Sequence, residues 1–469
     1  MTQPIRILLL GAGNRGTEVY GNFIKRHPVD IRIAAVAEPN PQRRERCAEI
    51  HHIPAEHQFE SWENALAVEK VADAVINATP DDVHHDSAVA ALQAGYNLLL
   101  EKPIATTLSD TLHIVKTAQD LGRKLMVCHV LRYTSFFKKA HEIIRTGRLG
   151  QVIHISHSEN VAYFHMAHSY VRGNWRNTST SAPMILAKCC HDLDLLTWFL
   201  GEPCAQLSSM GGLRHFRPEN APYGAPSRCT DGCPAAKDCP FYAPRIYIDN
   251  LPIKHAVSQA ANPLLRLAGK LTLQKPKIAG NLAAMYKPMR HLVHYQGWPR
   301  NTITDQPESD AAVWEALKTG PYGRCVYHCD NNVVDHQSVQ MAFPSGVTAT
   351  LIMHGHAHEE ARTLRVDGSQ ATLLGKFSHG HAWLEIHGHG DGRVERFTFP
   401  TVVDGASGHG GGDDGVMHQF VKVMQGDSTA QTPVRESLES HLLAFAAEKA
   451  RLEGQIINME AFRRQLEPD

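Results

Sequence analysis

The sequence predicts an α/β chain in two parts. A doubly wound parallel sheet comes first, followed by an α+β region with a large, open, mostly antiparallel sheet. Three observations carry this reading. Short runs rich in Val, Ile and Leu alternate with helical patterns through residue 130. The first run ends in a glycine-rich turn that opens a helix pattern. Beyond Ser135 the strand patterns alternate apolar and polar, as half-buried strands do. The 469 residues exceed one ordinary domain. The expected division is 1–130 and 131–469, with a cysteine-containing insertion at about 210–330.

In the first part, buried strands are expected at Ile5 to Leu10, Ile31 to Ala37, Ala74 to Asn77, Tyr96 to Leu100 and Lys124 to His129. Helices fill the gaps at Val19 to Arg26, His84 to Ala94 and Leu108 to Leu121. In the second part a helix over Phe136 to Arg145 stops at Gly147. Strands follow at Val152 to Ser158, Val339 to Phe343, Val347 to Met353, Thr363 to Val366 and Trp383 to Ile386. Glu436 to Leu452 reads as a closing helix.

Charge and composition bound the partners. A net charge of −1 gives no general attraction to nucleic acid or to a membrane. No run is long and uncharged enough to span a bilayer, and the start lacks a signal-peptide pattern. A cytoplasmic location is the expectation. There the ten cysteines read as thiols or metal ligands rather than disulfides.

Gly11-Ala12-Gly13-Asn14-Arg15-Gly16 closes the first strand. In this context the first glycine permits the turn, the second admits a pyrophosphate, and the third lets helix and strand pack closely. The helix N-terminus favours the anion. Glu38 ends the second strand, where a carboxylate accepts from an adenosine ribose and repels a 2′-phosphate. NAD is therefore expected over NADP, although Arg43 and Arg44 lie nearby. Thr79, Pro80 and His84 follow the strand ending at Asn77 and are expected at the cofactor cleft; Asp81 and Asp82 read as helix caps.

Glu101-Lys102-Pro103 places an ammonium at the carboxyl end of another strand, where ligands bind in open parallel sheets. Partly desolvated, Lys102 suits a general acid–base role, with Glu101 to orient it. His191, just before an apolar helix, is the second acid–base candidate, with Lys188 beside it; capping that helix is the alternative. Tyr163, His165, His168, Tyr170, Arg172 and Trp175 crowd one segment with the aromatic and hydrogen-bonding groups that grip sugars. A subunit contact fits that segment equally well. Cys229, Cys233 and Cys239, with Cys325 returning later, could close a structural zinc site in the insertion, with an iron–sulfur cluster as the lesser metal alternative. Free thiols or a disulfide are the alternatives.

Taken together, Gly11 to Gly16, Glu38, Ala78-Thr79-Pro80 with His84, Ala94-Gly95 before Glu101-Lys102-Pro103, and Gly147-Arg148-Leu149-Gly150 resemble the Gfo/Idh/MocA oxidoreductase family. His191-Asp192-Leu193-Asp194 and Gly408 to Asp413 add to the likeness. The resemblance implies a Rossmann domain and an open-faced sheet through which homodimers or homotetramers assemble. It implies NAD(P)-linked hydride chemistry at a secondary alcohol of a sugar, cyclitol or derivative, with Lys102 and His191 catalytic. Many members carry an Asp four residues before that histidine; this chain has Ala187. The departure keeps an alternative open: an NAD-dependent glycosidase that oxidises C3, eliminates, hydrates and re-reduces.

Overall fold

A computed structural model describes residues 3–260, 262–378, 381–400, 410–427 and 434–466. Gly408 and His409 of the glycine-rich motif lie outside these residues.

The N-terminal strands are β1 (Ile5–Leu10), β2 (Ile31–Ala37), β3 (Gln58–Phe59), β4 (Ala74–Asn77), β5 (Asn97–Leu100) and β6 (Leu125–Val127). They form one parallel sheet in the order β3-β2-β1-β4-β5-β6. Strand order reverses between β1 and β4, and in such sheets the crevice at that switch point receives ligands. Both faces are covered, which explains the unbroken apolar runs: every residue of β4 is buried, as is nearly all of β1.

The second sheet comprises β7 (Val152–Ala162), β8 (Gln206–Gly212), β9 (His336–Ala342), β10 (Thr348–Ala357), β11 (Ala361–Gly368), β12 (Ala371–Ser378), β13 (Ala382–Gly388), β14 (Val394–Phe399) and β15 (Ile457–Asn458). Its order is β14-β13-β12-β11-β7-β10-β9-β8-β15. All neighbours are antiparallel except β7 and β10, a parallel seam. β9 and β10 alternate buried and exposed as expected, leaving Ile153, Met210 and Ile352 open on the outer face. The inner face packs on the helices Ser135–Arg145, Cys190–Leu200 and Val434–Glu453.

Sequence patterning missed β3, β8, β12, β14 and β15. β8 is rich in Ser and Gly, and cross-strand packing rather than propensity makes it a strand. β12 contains Gly375, where an added Cβ would sit 2.6 Å from Leu384 and 3.0 Å from Phe136. That close approach, invisible locally, is why glycine interrupts the strand pattern.

The two halves are joined by the Val434–Glu453 helix. His441 on it accepts from the backbone N–H of Ile104, at 2.9 Å, just beyond Lys102-Pro103. The insertion is largely helical, with Leu251–Ser258, Pro263–Gln274, Pro276–Met285 and Lys287–Val293 packing on one another around Ala279, Ala283 and Met289. Among the described residues no helix is long and apolar enough to cross a membrane.

Candidate active site

The glycine motif does in three dimensions what its spacing suggests. Gly11 has φ +86°, and a Cβ there would lie 2.6 Å from the Ala78 carbonyl oxygen. At Gly16 a Cβ would lie 2.0 Å from the Gly11 oxygen, whereas nothing stands within 4 Å of one at Gly13. Two glycines thus close the turn and the third keeps its outer side open. Glu38 is buried at the end of β2, and its carboxylate accepts from the backbone N–H of Ala12 at 2.8 Å and of Asn40 at 3.0 Å. Arg43 is drawn away by Asp305 of the insertion, at 3.0 Å. Arg44 donates to the Glu38 carbonyl.

From this turn a single cavity of about 2070 Å³ runs to the second sheet. Its walls include Gly11, Gly13, Asn14, Arg15, Glu38, Thr79, Pro80, Glu101, Lys102 and His191. Tyr163, His165, His168, Tyr170, Trp175 and Lys188 line it too. Gly16 lies beneath, in its packing role.

The Lys102–Pro103 peptide is cis. The Lys102 ammonium donates to the carbonyl of Ala187 at 2.7 Å. Glu101 is otherwise engaged: it accepts from Arg15 at 2.5 Å and from the Tyr20 hydroxyl. Burial opposes its charge, but Arg15 and Tyr20 hold its carboxyl below the usual range. Arg15 also meets Asp413 at 2.8 Å, tying the fingerprint to the C-terminal part. His191 is buried against the edge of His129, ring centroids 5.6 Å apart. Asp194, on the same helix, pairs with Arg132, and Asp192 with Arg362 and His157.

A buried charge network occupies the far wall. Lys188 meets Glu360 at 2.7 Å and Glu159 at 3.2 Å; Arg362 meets Glu159 at 2.6 Å and Asp192 at 2.8 Å. His165 Nδ1 stands 3.0 Å from Glu360, which also accepts from the Ala162 N–H at 3.0 Å. Burial works against charge at Glu360, yet His165 and Lys188 hold its carboxyl well below the ordinary value. Burial lowers His165, with Glu360 pulling the other way. Glu159, with three carboxylates sharing two cations, is pushed by burial up to about 7 despite Arg362 and Lys188.

Several expectations are corrected. His84 does not line the cavity; fully buried, it bridges the carbonyls of Pro103 (2.7 Å) and Thr79 (3.0 Å), holding two strand-end loops together. Arg172 is likewise absent from the cavity wall and donates to the carbonyls of Arg324 and Phe241, at 2.7 Å each. Asp81 does not cap the helix that follows, which starts without a side-chain cap; it accepts from the Trp175 indole at 2.7 Å and lines the cavity, linking the two halves.

The expected zinc clip is not supported. Cys229, Cys233, Cys239 and Cys325 surround a space of only about 10 Å³, with Arg172 reaching to 3.6 Å from the Cys229 sulfur. Burial raises the thiols of Cys239 and Cys325, the latter to about 11. Among the described residues no three His, Cys, Asp or Glu side chains form a metal-holding group. These cysteines pack closely around the Arg172 guanidinium.

Sequence reasoning missed Glu360, which stands between Glu359 and Ala361 with no local motif, and the insertion's share of the site. Trp298 closes on His165 and His168, ring centroids 4.8 and 5.4 Å away. Thr302 bonds to His168 Nε2 at 3.1 Å.

Two family models match the chain. Residues 5–129 match the oxidoreductase family model with an NAD-binding Rossmann fold, and residues 137–235 match the GFO/IDH/MocA C-terminal domain. The chain is 29% identical over 236 residues to inositol 2-dehydrogenase of Streptomyces avermitilis, covering 48% of this chain and 60% of that protein. It is 25% identical over 215 residues to 2,7-anhydro-N-acetylneuraminate hydratase of Escherichia coli, covering 45% and 54%. These alignments span little more than half of either relative. An oxidoreductase from Agrobacterium radiobacter, solved with NAD+, L-tartaric acid and magnesium, shares the fold with a TM-score of 0.63 at 14% identity, covering 98% of this chain and 99% of that one.

Proposed function

Because the chain belongs to the GFO/IDH/MocA oxidoreductase family, we propose that it oxidises or reduces a secondary alcohol of a sugar, cyclitol or sugar derivative, with NAD as cofactor. One observation carries the reading: a continuous cavity joins the dinucleotide turn and Glu38 to Lys102, His191 and the His165–Glu360–Lys188 group. The open side of Gly13 and the fixed carboxylate of Glu38 fit a pyrophosphate and a ribose diol, respectively. NAD, when bound, supplies the hydride acceptor or donor.

The chain's own groups handle protons and position. Lys102, as the neutral amine, takes the proton of the reacting hydroxyl and becomes the ammonium, with its Nζ steered by the Ala187 carbonyl. His191 faces the same space and supports that transfer. Lys188, fixed by Glu360, presents a donor to neighbouring hydroxyls, and His165, whose Nδ1 faces Glu360, presents an Nε2 acceptor, while Tyr170 and Trp175 offer ring faces. The exposed outer face of the second sheet, with Ile153, Met210 and Ile352, seats a second copy in a homodimer or homotetramer.

The His165–Glu360 pair favours one second reading. It adds an acid–base couple beside Lys102, as a redox-neutral glycoside or anhydrosugar cleavage requires at a neighbouring carbon. A screen of polyols, sugars and aryl glycosides, following NADH and released aglycone in parallel, separates the two. Lys102→Ala is expected to lower turnover at least about 100-fold while NAD still binds. Undiminished turnover in that variant refutes the assignment.

A further inference from the structure

The whole chain is electrically balanced, yet residues 251–300 contain eight Lys and Arg and no Asp or Glu. These residues make the helical cap of the insertion. Arg266, Lys270, Lys275, Lys277 and Arg290 are exposed on it. So are large apolar side chains: Leu264 is 76% exposed, Leu267 64%, Tyr286 58%, Ile278 48% and Leu282 42%. Exposed apolar groups this dense on a structure with its own small core mark an interaction surface.

The arrangement on the Pro263–Gln274 helix is amphipathic. At about 100° per residue, the exposed Leu264 and Leu267 lie on one side, beside Ala268 and Leu271 that pack on the cap's own core, and Arg266 and Lys270 stand together on the opposite side. An apolar side backed by long basic side chains is the pattern of a helix lying in a lipid interface, its basic groups reaching back to the headgroups. Leu264, Leu267, Leu282 and Tyr286 also line the active-site cavity, so the patch lies at its mouth.

We infer that the cap at residues 251–293 docks on an anionic phospholipid surface, with the mouth of the cavity at that interface. The local charge, not the whole-chain balance, sets the attraction. An acid-free basic segment complements a negative leaflet, and its leucines supply the area to insert. Neither feature depends on which reaction the cavity performs.

Sedimentation of the intact protein with vesicles tests the inference. Vesicles of phosphatidylcholine with about one-third phosphatidylglycerol should carry the protein down at low salt. Pure phosphatidylcholine vesicles should carry little, and raised salt should release it. Lys270→Glu/Lys277→Glu should weaken partitioning at least about 25-fold, since each basic group near such a surface is worth roughly fivefold. Leu267→Asp/Ile278→Asp should abolish it, with an unchanged thermal midpoint reporting an intact fold. Absence of binding at low salt, or equal binding by the charge variant, overturns the inference. So does binding to a DNA duplex without binding to vesicles. A stable dimer that Leu267→Asp dissociates, with no vesicle binding, would show that the patch meets a second copy instead.

Discussion

Glu360→Gln isolates the electrostatics of the site with almost no change of shape. The amide oxygen can still accept from the Ala162 N–H, but the charge facing His165 at 3.0 Å and Lys188 at 2.7 Å is removed. Two unit charges about 4 Å apart at an effective dielectric of about 20 interact by about 4 kcal/mol, an upper bound near three pKa units. Lys188 opposes that influence on His165, and Glu159 still holds Lys188 at 3.2 Å. The expected remainder is a fall of at least about one unit in the pKa of His165, already lowered by burial. If His165 exchanges protons during turnover, the acid limb of kcat/KM moves to lower pH by that amount. The rate at the optimum should drop about 10- to 100-fold. Breaking one partner of a buried ion cluster costs up to about 3–5 kcal/mol, and the surviving Glu159 contact places this variant at or below the lower end. The assay is initial NADH formation against pH with the substrate found by screening, beside thermal unfolding. An unchanged profile and rate would refute the coupling of Glu360 to catalysis.

Three further outcomes follow from the geometry. Glu38→Ala should weaken NAD binding by about tenfold or more in calorimetry while leaving NADP binding unchanged or improved, because a charged acceptor for ribose is lost; equal NAD affinity would contradict the ribose assignment. Gly16→Ala should lower both the Tm and NAD affinity, since its Cβ would sit 2.0 Å from a backbone oxygen, whereas Gly13→Ala, with nothing within 4 Å, should keep the Tm and lose only affinity. Glu159→Gln should change the pH dependence of stability. A carboxyl raised to about 7 in the fold binds its proton more tightly there than in the unfolded chain, so its contribution falls as pH rises from the unfolded carboxylate value toward about 7 and above. Removing it should flatten that decline in a series of thermal melts, and an identical decline would show that Glu159 is not the group involved.

The parts legible in sequence are those in which one short segment carries both the structural cause and the chemistry. Gly11 to Gly16 lie on a single turn, Glu38 ends a single strand, and Lys102 follows another; strand–turn–helix context suffices to aim each of them. Parts assembled from distant segments were not legible. Glu360 faces His165 and Lys188 because β11 pairs with β7, a register set by the whole sheet. Trp298 and Asp305 reach the site across an insertion whose fold had no periodic signature strong enough to place them. His84 and Arg172 show the converse error. Polar residues beside a motif read as ligands, yet each satisfies buried backbone carbonyls, a demand that appears only when the chain is packed. The four cysteines converge as expected, but an arginine enters among them, and no spacing rule carries that information.

By itself the sequence determined a dinucleotide-binding parallel sheet, a second sheet and a lysine at the junction, because strand burial and glycine turns are short-range consequences of steric and hydrophobic periodicity. The tertiary structure decided the partners of that lysine. The Lys102 ammonium finds the backbone carbonyl of Ala187, and the carboxylate that meets Lys188 comes from Glu360, remote in the chain. Long-range pairing brings those charges together, and burial gives them their strength.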